Sequence, residues 1–476
     1  MTSQESPTPN PAELMPAWEA LVEKALGGAS FDRKLVTHTY DGLQISPLYG
    51  PHTPGGCPDT DSGLPGQFPY VRGRTALSTS RTGWDVRQLA FPNDPQKTNQ
   101  LILEDLAGGV SSIELDLWDG QNSRLDTLDE LEKVLDGVHL EMAPIALKAG
   151  PHFLAAATQL VQIWNKRGLA KKDASGGFGA DPLGTLARGG YLPDNIDALN
   201  SALVKIATFS AKELPQVRSV SIDLSAYHEA GASNTQCLAF AMATGVAYLR
   251  TLTDSGLTTA EAASEIAFHV PLDAEFFSSI ATLRALRNLW GRVLKHCGLE
   301  ADESAAWIHT TPSRRILTQR DPWVNQLRNT VCCFASAVAG ADAITTLPHD
   351  TEFAEPSSFG NRVARNTQIV LSAESHLNKV IDAAGGAYFI ETLTGQLSEA
   401  AWTIFTEIEG EGGMQAALEA GSIQQRIDNV ADNRASMIAK RKQPITGVSE
   451  FANIGEDHLE SPTLAEPQDA RPNKPL

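Results

Sequence analysis

In the stretch SIDLSAYHEAGAS, residues 221–233, a phenol and an imidazole arrive together as Tyr227 and His228. An imidazole can donate a hydrogen bond to a carbonyl and polarise it, or act as an acid, when it stands within bonding reach of the reacting group. The residues before the pair alternate, with Ile222 and Leu224 set against Ser221, Asp223 and Ser225. That is the period of a half-buried strand. Tyr227 and His228 therefore fall where a strand ends, just before an Ala-Gly-Ala turn. A titratable group at such an exit serves either as an active-site acid or as a member of a structural hydrogen-bond network. The pattern alone leaves both open.

Other constellations are thin. Gly385-Gly386 in DAAGGAYFIE lacks the Lys-Ser/Thr of a phosphate loop and the spacing of a dinucleotide fingerprint, so it reads as a tight turn between helices. The five cysteines, Cys57, Cys237, Cys297, Cys332 and Cys333, are odd in number and have no framework spacing. Cys332 and Cys333 sit in an apolar helical run and read as buried thiols in a reducing compartment. Trp84, Trp290 and Trp402 read as packing or interface residues.

The elements that must position these groups follow a rhythm. Short runs rich in branched residues occur at 111–117, 139–147, 217–227, 265–272, 305–311 and 342–348, with weaker ones at 86–91 and 176–183. Helical patterns separate them, as in PQKTNQLILEDLAGG, PHFLAAATQLVQIWNKRG and FFSSIATLRALRNLWGRVLKHCG. Eight strands alternating with helices predict a (β/α)₈ barrel. Ahead of it, KLVTHTYDGLQISPLYG predicts a hairpin turning at Asp41-Gly42. The division expected is an N-terminal arm at 1–30, partly disordered, then a hairpin and lead-in at 31–85. A barrel at 86–355, a helical part at 356–454 and a disordered tail at 455–476 follow. Several strands carry polar residues on alternate positions, among them Asp223, Ser225, His309, Thr311, Thr345 and Thr346. Facing inward, they would leave a bore through which a long ligand could pass; at strand ends, they would face loops.

The chain's 476 residues are 42% hydrophobic and carry a formal net charge of −19. Such an acidic balance argues against nucleic acid or an anionic membrane as the main partner. No signal peptide and no membrane span is visible, so a soluble cytoplasmic protein is expected.

Several longer stretches carry a family resemblance. SSFGNRVARNTQIVLSAESHLNKVIDAAGGAYFIETLT (357–394), AWTIFTEIEGEGGM (401–414), RTGWDVRQLAF (81–91) and ITGVSEF (445–451) resemble, in the family's order, the adenosylcobalamin-dependent acyl-CoA mutases, above all methylmalonyl-CoA mutase. The resemblance implies a barrel traversed by the pantetheine arm of coenzyme A. It also implies a carbon-skeleton rearrangement started by cobalt–carbon homolysis, chemistry that the cofactor supplies and the protein positions.

The departures are informative. Active members bind cobalt through Asp-x-His-x-x-Gly, yet none of the eleven histidines here has an aspartate two residues before it. The tyrosine that follows Arg-Gln in active members is Leu89, and their Gly-Thr-Ile-Gln-Asn-Asp becomes GGFGADPLG, without the amides expected to hold substrate. Their adenosine-contacting glutamate aligns with Thr351 or, with a slip of one residue, Glu352. Together these features resemble the small (beta), non-catalytic subunit of a heterodimeric mutase, lacking a cobalamin domain. On that reading no cofactor binds this chain, and adenosylcobalamin belongs to a catalytic alpha subunit as partner. The alternative is a substrate-binding subunit whose cobalamin domain lies on a separate chain.

The resemblance also nominates ligand residues. Arg87, Gln88, Arg188 and Arg284 fall where the family places groups around acyl-CoA or the chain interface, and a guanidinium fork suits phosphates and carboxylates. For Arg284 the competing reading is pairing with acidic neighbours. Active members use the Tyr-His pair to polarise the thioester carbonyl. Here AYHEAGAS is two residues shorter after the pair, which favours a relic or structural role for Tyr227 and His228.

Overall fold

The computed structural model describes residues 11–456 apart from 51–61, 77–82, 121, 190–191, 193–194, 300–304 and 354–356. The hairpin forms as expected, with β1 (Thr37–His38) antiparallel to β2 (Gln44–Ile45). Eight parallel strands then close a barrel: β3 (Asp85–Ala90), β4 (Ser112–Asp116), β5 (Ile145–Lys148), β6 (Ser175–Ala180), β7 (Gln216–Asp223), β8 (Ile266–Leu272), β9 (Trp307–Pro312) and β10 (Ala343–Thr345). They pair in chain order, and β10 returns to β3. Helices follow β10, at Ser358–Ile369, Tyr388–Gly410, Met414–Glu419 and Ser422–Ala439. The arm carries a helix at Pro11–Leu26, while the expectations for 1–10 and 457–476 lie outside the described residues.

Local chemistry explains the punctuation. Asp94 accepts hydrogen bonds from the amides of Gln96 and Lys97, and Pro95 opens the helix Pro95–Ala107. Reciprocal Ser233–Gln236 capping starts Asn234–Asp254. β6 reads weakly as a strand because it is built of glycines, and β5 demands them. A Cβ at Gly176 or Gly179 would lie 1.9 Å from the carbonyl oxygen of Ile145 or Leu147, and both glycines have positive φ.

Register sorts the strand residues onto two faces. Asp85, Arg87 and Leu89 share one side with Ser112, Glu114, Asp116, Ala146 and Lys148, and the same side continues through Ser221, Asp223, His269, Trp307, His309 and Thr311 to Thr345. The opposite side holds Val86, Ile113, Leu115, Ile145, Val220, Ile222, Phe268, Ile308 and Ile344, all buried in the apolar layer under the helices. An ordinary barrel fills its interior with branched aliphatic residues. Here the aliphatic core lies between strands and helices, and the bore is polar.

Candidate functional site

The C-terminal end of a (β/α)₈ barrel is where strand-end side chains meet. Three of these strands end on a charge, Asp116, Lys148 and Asp223. Asp223 is the hub. Its Oδ2 lies 2.8 Å from Lys148 Nζ and 2.8 Å from an Arg188 guanidinium nitrogen, and its Oδ1 lies 3.0 Å from His269 Nδ1. Oδ1 also accepts from the Ser225 amide at 2.9 Å and the Ser225 hydroxyl at 2.6 Å. His269 Nε2 reaches Thr311 Oγ1 at 3.1 Å, and its ring stacks on His309 with centroids 4.6 Å apart. His309 in turn meets Thr345 Oγ1 at 2.8 Å.

The electrostatics follow from that packing. Burial pushes the Asp223 carboxyl up, but Lys148, His269 and Arg188 together outweigh it and hold the group well below the usual carboxylate range. Burial likewise opposes the charge on Lys148, and Asp223 with Asp116 and Glu114 more than restores it. Asp181 is pushed up to about 6, chiefly by burial, although its oxygens accept from Tyr248 Oη at 2.5 Å and from the Gly184 and Asp223 amides at 2.9 Å each. His309 is held well below the ordinary histidine value by burial and then by its stacked neighbour His269, so its ring is neutral. The cavity among Glu114, Lys148, Asp181, Arg188, Asp223 and His269 measures about 40 Å³. That is room for water, against the roughly 300 Å³ at which small-molecule pockets begin. The polar residues do face inward, and they satisfy one another.

The question posed by the Tyr-His pair has a geometric answer. β7 ends at Asp223, and a short helix, Ser225–Ala230, carries both residues. Arg315 donates to His228 Nε2 at 3.1 Å, which leaves the proton on Nδ1, 3.1 Å from Ser313 Oγ. The same guanidinium donates to the carbonyls of His228 and Ala232 at 2.7 and 3.1 Å. Burial, then Arg315 and Arg434, hold the imidazole well below its ordinary value. Neither ring nitrogen is left to polarise a thioester. Tyr227 is buried with its ring 5.2 Å from that of Phe240.

The other nominated residues are scattered. Arg188 stands at the mouth in the Asp223 cluster. Arg87 lies at the lower end of the bore, with Nε on Ser112 Oγ at 3.0 Å, a terminal nitrogen on Asp85 at 3.0 Å and its guanidinium over Trp307. Gln88, one residue on, shares the helix-facing side with Ile113. Arg284 is fully buried in the helix Phe276–His296 and pairs with Asp382 and with Glu391, the latter at 2.6 Å. Asp382 also takes Arg72 from the lead-in segment at 3.0 Å. Leu89 faces the bore in register with Glu114, Glu352 pairs with Arg314 at 2.9 Å, and Thr351 donates to the Pro348 carbonyl. The sequence reading missed Asp116, Lys148, Asp181 and His269. A charge ending each of three strands was the signal that could have found the first two.

A family model of methylmalonyl-CoA mutase matches residues 38–473. The chain belongs to the methylmalonyl-CoA mutase family. It is 40% identical to the methylmalonyl-CoA mutase small subunit of Streptomyces virginiae, covering 96% of this chain and 72% of that one. Against the small subunit of Propionibacterium freudenreichii subsp. shermanii it is 38% identical, over 92% and 67%. The methylmalonyl-CoA mutase of Rhizobium meliloti matches at 30%, over 93% and 64%. The cofactor that the family resemblance implies is adenosylcobalamin, which a histidine nitrogen of the chain would have to hold. His228, His269 and His309 hold their rings against Ser313, Arg315, Asp223, Thr311 and Thr345 of their own chain. These residues do not fit that ligation. Among the described residues no three His, Cys, Asp or Glu side chains converge to hold a metal ion, and no helix is long and apolar enough to cross a membrane.

Proposed function

We propose that this chain is the small (beta), non-catalytic subunit of a heterodimeric methylmalonyl-CoA mutase. Its partner is a catalytic alpha subunit that holds adenosylcobalamin and interconverts methylmalonyl-CoA and succinyl-CoA. The observation that carries the reading is the occupation of His228 by Arg315 and Ser313, which removes the donor a thioester carbonyl requires. Two further facts support it: the bore charges are spent on one another, and the identity to small subunits exceeds that to the Rhizobium mutase. On this reading the radical chemistry belongs wholly to the partner, and this barrel keeps the partner folded and paired. The cytoplasm is the compartment we assign, supported by Cys237, Cys297, Cys332 and Cys333 being free thiols.

The test is reconstitution. The isolated chain with adenosylcobalamin is expected to show no isomerisation of methylmalonyl-CoA. The complex with a full-length catalytic chain is expected to turn over, and to keep its rate within about twofold when His228→Ala is introduced here. Isomerisation by this chain with only a separate cobalamin-binding domain would replace the reading by that of a substrate-binding subunit.

A further inference from the structure

The helix Trp323–Val338 follows β9 on the outside of the barrel, and its amphipathicity is inverted. The helix buries Asn325, Asn329, Cys332, Cys333 and Ser336 together with the small Ala335 and Ala337. The amides there are engaged: Asn325 donates to the carbonyls of Thr318 and His349, and Asn329 to that of Leu347. The most exposed positions of the helix are Trp323, Leu327 and, to 37%, Phe334, which spacings of four and seven place along one stripe. Trp323 is 57% exposed and Leu327 66%. The helix has one charged residue, Arg328, and it is folded back onto Thr318, Asn325 and the Thr446 carbonyl at 2.6–3.0 Å.

The stripe continues past both ends of the helix. Trp323 stacks on His349 with centroids 4.5 Å apart and meets the exposed ring of Phe359 edge-on at 6.5 Å. At the other end Phe334 contacts Phe276 at 5.0 Å, and Phe276 contacts the exposed Phe277 at 5.3 Å. At roughly 150–250 Å² per aromatic side chain, the open fractions of this band amount to on the order of 500 Å² of apolar surface. The largest apolar patch of a typical monomer is itself about 300–600 Å² and is often functional. A standard protein–protein interface buries about 800 Å² per partner, a little over half of it apolar. The band is of the size that a stable pairing needs, with the aromatic enrichment and charge depletion of an interface centre.

We propose that this band, from Phe359 through Trp323, Leu327 and Phe334 to Phe277, is the surface by which the chain seats on its large catalytic partner. The inference rests on the small-subunit reading above and adds to it the face that is used. The partner surface it fits is largely apolar, because the exposed side chains of the band are Phe359, Trp323, Leu327, Phe334 and Phe277.

The experiment pairs the purified chain with the large mutase chain of the same organism and measures the dissociation constant by sedimentation or calorimetry. Leu327→Asp and, separately, Trp323→Ser are expected to weaken the complex by about a hundredfold or more, the loss typical of a central anchor. Met142→Asp is expected to change nothing. Met142 is more exposed, at 77%, but lies just before β5, four strands around the barrel from β9. Circular dichroism of each free variant is expected to match wild type. Wild-type affinity in both stripe variants would overturn the assigned surface while leaving the small-subunit reading intact. Failure of the wild-type chain to bind the large chain at all would overturn the reading and the surface with it. A homodimer that Leu327→Asp dissolves and the large chain does not displace would overturn the assigned occupant in favour of a second copy.

Discussion

The bore of the barrel and the outer face of the helix Trp323–Val338 reverse the roles that such regions ordinarily have. Inside, Asp223, Lys148, Arg188 and His269 form a polar, charged lining that is already paired. Outside, Trp323, Leu327 and Phe334 form an apolar face that the described residues leave partly open. In a ligand-binding barrel the interior holds groups whose partners arrive with the substrate, and the exterior is polar. Here the unmet demand has moved from the bore to the surface. What the protein can do for another molecule is therefore read from its outside.

The comparison can be broken most severely at its charged hub. Asp223→Ala leaves Lys148 and Arg188 as neighbouring cations without their shared anion. It is expected to destabilise the fold by about 3–5 kcal/mol, measured by urea unfolding. A much smaller loss would mean that the bore does not depend on its own pairing.

Glu265 sharpens the same point at the start of β8. It is buried, accepts from the Ser219 amide at 2.9 Å, and burial pushes its carboxyl up to about 7. In the unfolded chain the group titrates near 4.5. Between those values the folded protein keeps a proton that the unfolded chain has released, so this contribution falls as pH rises, by at most ~1.4 kcal/mol per unit. Glu265→Gln is expected to remove that slope from denaturation curves taken between pH 5 and 7, as the difference from wild type shows.

His228 acts in the opposite direction. Its folded value is depressed, so its contribution is complete above the unfolded value near 6.5 and erodes as pH falls below it. His228→Asn is expected to reduce the stability difference between pH 7.5 and 5.5 by on the order of 1 kcal/mol. The smallest effect belongs to the outer stripe. Leu327→Asp is expected to shift the free chain's unfolding free energy by no more than about 0.5 kcal/mol, because the side chain removed is 66% exposed. A large loss there would show that the stripe belongs to this chain's own core.

The two regions were unequally legible in sequence. The eight strands could be read because their helix-facing residues are branched and apolar. Even β6 was visible as a weak run, its glycines being imposed by the carbonyls of β5. The bore cluster was not legible as a cluster, because Lys148 meets Asp223 across 75 positions of chain. Arg284 does pair with acidic groups, but these are Asp382 and Glu391, brought from far along the chain rather than from its own helix. The role of His228 turned on Arg315, which no local pattern marks. The stripe was hidden for another reason: Trp323, Leu327 and Phe334 have a spacing that fits a core-facing side equally well. Only the burial of Asn325 and Asn329 beneath the helix reveals which side is out.

The carboxylate of Asp382 grips Arg72, from the segment leading into the barrel, and Arg284, from an outer helix, while Arg284 also holds Glu391 near the start of the long helix Tyr388–Gly410. The segment that leads into the barrel and the long helix that comes after it are thus fastened by one clasp outside the bore. A nick beside either segment would loosen the other, so the lead-in and the long helix should come away from the barrel together rather than one after the other.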